Sequence, residues 1–257
     1  MKHLKSIISS WSRRTGEHHG LARRLRVVRR GAVAIALLIV AATSAMPARA
    51  GAYEDFFDAI TRDDARDARA LMLKGVDPNS PDRKLGPALV YAAQSRAFAV
   101  LRVLLDSPVT QVDAVNAAGE SALMYLALYG EVDLARRLIA RGAQVNKPGW
   151  TPLHYAASGG SVPMVKFLLE QNAFIDALSP NQTTPLMLAS RQKQVSVAKV
   201  LVEEGADPSL RNESGRSAAD YFIMHDDAIT ADWMRARADE FLKRYGTREQ
   251  PVPASSR

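Results

Sequence analysis

A step of about 33 residues recurs along this sequence and constrains the fold more than any other feature. Each step begins with the apolar stripe of a short helix and continues with a second apolar stripe at helical spacing. Helices this short are unstable alone in water, so each must pack against its neighbours along the chain. The pattern therefore predicts an all-α array of stacked helix pairs. The clearest first helices begin at residues 87, 121, 151, 184 and 217.

The stretch TPLHYAASGG, residues 151–160, is the clearest copy of the step. Thr151 can cap the first free amide groups of a helix, and Pro152 occupies a position where its missing N–H costs nothing. Two glycines end this helix, and residues 161–170 predict a second one. The stretch resembles an ankyrin repeat, whose signature is T-P-L-H-x-A followed by a second helix and a hairpin.

The resemblance implies an α-solenoid of about six helix-turn-helix units with short β-hairpin fingers, in a domain over residues 51–245. Stacked units share a continuous core that one unit cannot form alone. The expected units are 52–80, 81–115, 116–148, 149–180, 181–212 and 213–245, the last as a C-terminal cap. Second helices are expected to end before residues that tolerate a left-handed backbone, namely Gly75, Gly142, Asn172 and Gly205.

Three departures from the repeat predict local irregularities. Pro108 falls where a left-handed residue should follow an outer helix, so we expect an irregular loop over 107–111. The step of 30 residues predicts a shortened connection over 146–150. The sixth unit ends in a longer amphipathic pattern over 230–245, which we expect to cover the last apolar face. Residues 246–257 are expected to form a disordered tail.

Residues 1–50 differ from the rest of the chain in charge. They contain ten Lys and Arg residues and one acid, so they carry +9, whereas the whole chain carries +7 and the remainder therefore −2. The folded part thus gives no reason to expect nucleic-acid binding. A basic run, the apolar stretch 32–42 and the small residues Ala48 and Ala50 follow one another as in a bacterial secretory signal. The predicted cleavage lies between Ala50 and Gly51.

This leader has three other interpretations. The uncharged run 31–48 suits an uncleaved membrane anchor, Arg13 and Arg14 suggest a twin-arginine signal, and the true start could lie downstream of Met1. Signal and anchor both keep the basic flank in the cytoplasm, so residues from 51 onward are expected outside it. The expected location is the periplasm, with anchoring in the inner membrane facing the periplasm as the alternative.

Few residues of the sequence suggest chemistry. It has no cysteine, which excludes thiolate metal sites, and no phosphate-binding loop, zinc spacing or nucleophile motif. His154 lies in the T-P-L-H motif, where the resemblance implies a structural role between turns. His225, followed by Asp226 and Asp227, fits a polar turn, with a metal site or an acid/base group as the alternative. The sequence thus predicts a protein that is not an enzyme and has no cofactor or metal.

One register of the first helices is rich in tyrosine and holds four of the chain's seven. The resemblance places this register near the concave face, and tyrosine combines a large contact area with one polar group. Recognition of a protein partner, together with the fingertips, is one interpretation, and packing between successive helices is the other. The candidate partner-binding residues of the expected monomer are Tyr91, Tyr125, Tyr129, Tyr155, Leu188, Tyr221 and, at the shortened connection, Trp150.

Overall fold

The computed structural model describes residues 46–247, with side-chain detail from residue 51 onward. The chain divides into two compact units between Glu54 and Asp55. The described residues form twelve helices and no strand, which confirms the predicted all-α repeat fold. Helices α1 to α12 span Met46–Thr61, Ala65–Leu73, Ala88–Gln94, Phe98–Asp106, Ala122–Tyr129, Val132–Ala140, Pro152–Gly159, Val162–Glu170, Pro185–Arg191, Val195–Glu203, Ala218–Ile223 and Ala228–Tyr245.

The helices alternate between an inner row with odd numbers and an outer row with even numbers. Helices α3, α5, α7, α9 and α11 contact one another in chain order, and so do α2, α4, α6, α8 and α10. Each inner helix from α3 onward also contacts the outer helix that follows it. Neighbour-only packing of this kind is the arrangement of a repeat solenoid.

Two outer helices, α6 and α8, fully bury only the first residue of an adjacent apolar pair. Leu138 and Leu168 are fully buried, whereas the residues that follow them, Ile139 and Leu169, are only half-buried. Successive positions on a helix lie 100° apart, so a narrow stripe can face the core at only one of the two. In α4, by contrast, Leu104 and Leu105 are both buried.

Turns after the outer helices follow the predicted backbone. Gly75, Gly142 and Gly205 have φ between +94° and +99°, and Asn172 has φ +61°. These values confirm the left-handed position expected after α2, α6, α8 and α10.

Four of the connections between units share one type of side-chain contact. In the described residues the expected β-hairpin fingers carry only isolated antiparallel bridges, Asp82–Gly86 and Val115–Ser121. Asn or Asp oxygens instead accept a backbone N–H from the next unit at 2.8–3.0 Å. The acceptor and donor residues are Asn79 and Gln111, Asp113 and Gln144, Asn146 and Phe174, and Asp176 and Asp207.

The loop at Pro108 is irregular, as predicted. Helix α4 ends at Asp106, and the next residue, Ser107, has an extended backbone with φ −84° and ψ 121°, so the usual left-handed turn is missing. The Thr110 hydroxyl donates to the Leu104 carbonyl at 2.7 Å. Arg141, from the next unit, donates to the carbonyls of Leu105, Pro108 and Thr110 at 2.9–3.2 Å. The Arg141 guanidinium thus donates hydrogen bonds to carbonyl groups at the end of α4 and in the loop, where the regular turn is missing.

The other two departures differ in outcome. Eleven residues separate α6 from α7, against fourteen between α8 and α9, so the shortened connection is confirmed. Helix α12 buries Thr230, Ala231 and Met234, but Phe241 and Leu242 are only half-buried. The fully buried residues of the C-terminal helix therefore lie in its first half. The leader up to residue 45 and the tail from residue 248 lie outside the described residues.

Candidate functional site

The inner-row positions of the candidate residues differ in burial. Tyr125 and Tyr221 are each 7% exposed and Leu188 is 8% exposed, so these three pack within the row. Tyr91 and Tyr155 are half-buried and keep part of their rings at the surface. Three positions of the register are therefore packed within the row, and the two half-buried tyrosines keep a surface that a partner could contact.

Glu120 connects two of these tyrosines across a unit boundary. The Tyr155 hydroxyl donates to Glu120 Oε1 at 2.6 Å, and the Tyr125 hydroxyl donates to Oε2, which also accepts from Asn116 Nδ2 at 2.8 Å. The two rings meet edge to face with centroids 6.3 Å apart. A single carboxylate therefore fixes both rings and satisfies both hydroxyl groups.

This network shifts three pKa values. Partial burial alone would raise the pKa of Glu120, but hydrogen bonds from Asn116, Tyr125 and Tyr155 outweigh it and hold that pKa below its usual range. Burial, and then the hydrogen bond and charge of Glu120, raise the pKa of both tyrosines. The network is therefore one carboxylate with two neutral phenols at neutral pH.

The Tyr155 hydroxyl differs in its partners from two other tyrosines of the register. In two other units a finger asparagine lies nine residues before the tyrosine and near its hydroxyl: Asn116 for Tyr125 at 3.4 Å and Asn212 for Tyr221 at 2.8 Å. The residue nine before Tyr155 is Asn146, whose side chain bonds to the next unit instead. In this unit the Tyr155 hydroxyl donates to Glu120 of the preceding finger.

Tyr129 lies at the surface end of α5 and joins units two and three. Its hydroxyl donates to the Gln94 carbonyl at 3.0 Å, and the Arg96 guanidinium lies 5.0 Å from its ring centroid. Phe98 adds an edge contact at 6.4 Å. The ring is half-buried, so a flat aromatic face with an adjacent cation remains accessible.

An open pocket of about 420 Å³, which we call the finger pocket, lies next to these residues. Tyr91 and Gln94 of α3 line it, with Arg83 and Lys84 from the finger before that helix. Asn116 contributes from the finger after it. The pocket combines an aromatic ring, amides and basic groups in one concavity, which suits binding of a polypeptide segment.

His154 is structural, as the motif predicts. It is fully buried, its Nδ1 accepts from the Thr151 N–H at 3.2 Å, and its Nε2 therefore carries the proton and donates to the Thr183 carbonyl at 2.9 Å. Burial lowers its pKa to about 4, so the ring stays neutral at pH 7. Trp150 packs edge-on against this ring at 5.3 Å and is half-buried.

His225 occupies the turn between α11 and α12. Its Nε2 lies 2.8 Å from the Arg191 carbonyl of the preceding unit, and Asp227 accepts the Thr230 N–H as the cap of α12. Within residues 46–247 no group of three His, Asp or Glu side chains is placed to hold a metal ion. The same residues contain no helix long and apolar enough to cross a membrane.

Sequence reasoning missed Glu120, Asn116 and the basic pair Arg83 and Lys84. All four lie in fingers, outside the helical register that drew attention to the tyrosines. The available signal was position: Glu120 directly precedes Ser121, which caps α5, so its place beside an inner helix was readable. Its two tyrosine partners were not, because Tyr155 lies 35 residues away.

Comparison with known proteins identifies the repeat. A family model described as "Ankyrin repeats (3 copies)" matches residues 56–148 and 144–212, more than half of the chain. Similar proteins include the nuclear factor NF-kappa-B p105 subunit of Gallus gallus, 32% identical over 55% of this chain and 15% of its own length. The B-cell lymphoma 3 protein homolog of Mus musculus is 30% identical over 56% of this chain and 34% of its own.

A third relative is the neurogenic locus notch homolog protein 1 of Xenopus tropicalis, 36% identical over 39% of this chain and 4% of its own length. This chain spans about a third or less of each of the three relatives. All three are vertebrate proteins, so the likeness concerns the repeats and carries no information on bacterial origin or export.

Proposed function

Because this chain belongs to the ankyrin-repeat family, we propose that it is a non-catalytic scaffold that binds a protein partner through the concave face and the fingertips. Ankyrin repeats generally mediate protein–protein interaction. The observation that carries the proposal is the finger pocket, where Tyr91 lies between two fingers and Arg83 and Lys84 line the edge.

The proposed binding residues are those with accessible rings. Tyr91, Tyr129 and Tyr155 are half-buried, so part of each ring can be covered by a partner without unfolding the array. Tyr125, whose ring is buried, supports Tyr155 through Glu120. Half-exposed tyrosines held rigidly in this way lose little side-chain entropy on binding, which favours them as anchors.

Affinity comparison with matched variants tests this proposal. Purified wild type and a Tyr91→Ala/Tyr129→Ala variant serve as baits in periplasmic extract, with quantitative mass spectrometry of captured proteins. If each anchor contributes about 1–2 kcal/mol, the double variant should bind a specific partner at least about 30-fold more weakly. Circular dichroism must show the wild-type helix content.

Leu73→Ala/Phe174→Ala is the control, since it removes two apolar side chains that are 83% and 67% exposed elsewhere on the solenoid. It should retain the partner at wild-type level. Equal capture by wild type and the tyrosine variant, with both folded, would show that the partner does not use this surface.

We further propose that the protein acts in the bacterial periplasm, released by cleavage between Ala50 and Gly51. The support is the order of basic run, apolar stretch and small residues in the leader. N-terminal sequencing of the periplasmic protein should begin at Gly51. Recovery only in membranes would instead favour an envelope-anchored scaffold, and recovery only in the cytosol would contradict export altogether.

A further inference from the structure

A second pocket, of about 460 Å³, lies between the last two fingers and the inner helices α9 and α11. Arg191 ends α9, Arg216 belongs to the finger before α11, and Tyr221 lies in α11 itself. No Asp or Glu side chain lines it. We call it the Arg191–Arg216 pocket.

Its two guanidinium groups are available to a ligand. Both arginine side chains are exposed, and within residues 51–247 neither makes an ion pair or a side-chain hydrogen bond. Arg211, close by in sequence, differs because it pairs with Asp220 at 3.0 Å. Residues 51–257 carry −2 in sum, so two unpaired arginines in one concavity run against the charge of the surrounding chain.

A buried tyrosine adds a donor whose direction follows from its neighbours. Asn212 Oδ1 accepts the backbone N–H groups of Ser214 and Arg216 at 3.0 and 3.1 Å, which fixes the orientation of its amide. Its Nδ2 therefore donates to the Tyr221 oxygen at 2.8 Å. The Tyr221 hydroxyl therefore still has its own proton to donate, and in the part of the chain that the structure describes no protein group accepts it.

Two further groups shape the pocket. Asn181 Oδ1 accepts from the Ser179 hydroxyl at 2.6 Å, so its NH₂ group is the part left for a ligand. His225 Nε2 donates to the Arg191 carbonyl at 2.8 Å and thereby holds the end of α9 against the turn after α11. The pocket thus offers two cations and several N–H or O–H donors around a site free of carboxylates.

We propose that the Arg191–Arg216 pocket binds the carboxylate groups of an acidic peptide segment in the protein partner. The inference rests on the proposed function, because it names the chemistry of one part of the partner. A planar carboxylate matches the fork of a guanidinium group with two parallel hydrogen bonds, and the Tyr221 hydroxyl can supply a third donor. Charge complementarity therefore assigns Asp or Glu side chains to this place.

Fluorescence anisotropy with purified protein tests the pocket without knowledge of the partner. The probe is fluorescein-labelled hexaglutamate at about 0.15 M salt, where nonspecific surface attraction is largely screened. We expect saturable binding that Arg191→Gln/Arg216→Gln weakens by at least about tenfold, the equivalent of one charge-assisted contact pair. Tyr221→Phe should weaken binding severalfold while the array stays folded.

The control Arg66→Gln/Lys166→Gln removes the same net charge from exposed positions of the outer helices α2 and α8. It should bind hexaglutamate as the wild type does, and labelled hexaglutamine should not bind either protein. No binding to wild type, equal loss in both double variants, or binding of inorganic phosphate in place of the peptide would each overturn the proposal. Because the tyrosine-variant capture experiment uses a different surface, it can succeed or fail independently.

Discussion

At the scale of single residues, His154 and Glu120 join consecutive units by opposite electrostatic means. His154 is neutral and fully buried, and it connects Thr151 to Thr183 through its two ring nitrogens. Glu120 is ionised and half-buried, and it draws two phenol groups onto one carboxylate. Both contacts link residues about thirty positions apart, so each couples one unit to the next.

The free energy of unfolding should decrease as the pH is lowered, because of His154. Its pKa of about 4 in the folded protein lies below the ordinary 6.5. Between these two pH values the unfolded chain therefore binds a proton at His154 and the folded chain does not. This contribution is complete above pH 6.5 and is lost as the pH falls toward 4, with a loss of about 2 kcal/mol between pH 7 and pH 5. Urea unfolding at both pH values measures it.

A His154→Asn variant, less stable at pH 7, should show a flatter dependence over the same interval. NMR titration of the wild-type imidazole gives an independent check, and a pKa near 6.5 in the folded protein would contradict the prediction.

Glu120 should couple Tyr125 and Tyr155. Tyr125→Phe and Tyr155→Phe are each expected to cost about 0.5–1.5 kcal/mol, and the double variant less than their sum if the two hydroxyls share one acceptor cooperatively. Chemical denaturation of the four proteins completes the cycle. In a Glu120→Gln background the coupling should shrink toward zero, and strict additivity with Glu120 present would argue against a shared network.

At the scale of elements, four of the turns from an inner to an outer helix hold a non-glycine residue in a left-handed backbone. Asp63, Arg96, Lys193 and Asp226 adopt φ between +53° and +61° there, whereas two other units place Gly130 and Gly160 at the position. A left-handed backbone brings Cβ close to the carbonyl of its own residue, so side chains other than glycine are strained. Asp63 compensates by accepting the Ala99 and Val100 N–H groups at the start of α4.

Lys193→Gly should therefore stabilise the protein. The Lys193 side chain is exposed and its backbone has φ +58°, so glycine relieves strain without removing a packed group. We expect a gain of about 1 kcal/mol, reduced somewhat by the entropy of glycine in the unfolded chain. Thermal unfolding measures the change. Lys166→Gly, at an exposed position inside α8, is the matched comparison and should lose about 1 kcal/mol.

At the scale of the whole molecule, the ankyrin-repeat units depend on one another only through adjacent interfaces. Helix α12 covers the last of these with Met234, which is fully buried, and with Thr230 and Ala231. A linear array of this kind transmits a local loss of stability most strongly to the nearest units.

Met234→Ala should loosen the C-terminal end first. Deleting most of a fully buried methionine costs about 2–5 kcal/mol at the site. Hydrogen exchange should accelerate most in α11 and α12 and least in α5 and α6, which lie three units away. Uniform acceleration over all helices would show instead that the array unfolds as one cooperative block.

The sequence by itself determined the repeat, because short apolar stripes at a fixed step can be buried only by stacking. Local chemistry was equally readable: Thr151 and Pro152 start a helix, Gly142 ends one, and Pro108 breaks a turn, since each effect acts within a few residues. The structural role of His154 was also accessible through the motif that contains it.

Only the tertiary structure decided which side chains of different units meet. Tyr125 and Tyr155 share a register in the sequence, but their common acceptor Glu120 lies in the finger before α5, 35 residues from Tyr155. Arg191 and Arg216 are ordinary surface arginines in the sequence and become a pocket because α9 and the following finger face each other. The physical reason is that hydrogen bonds and charge pairs act over a few ångströms, and which residues come that close is set by packing across units.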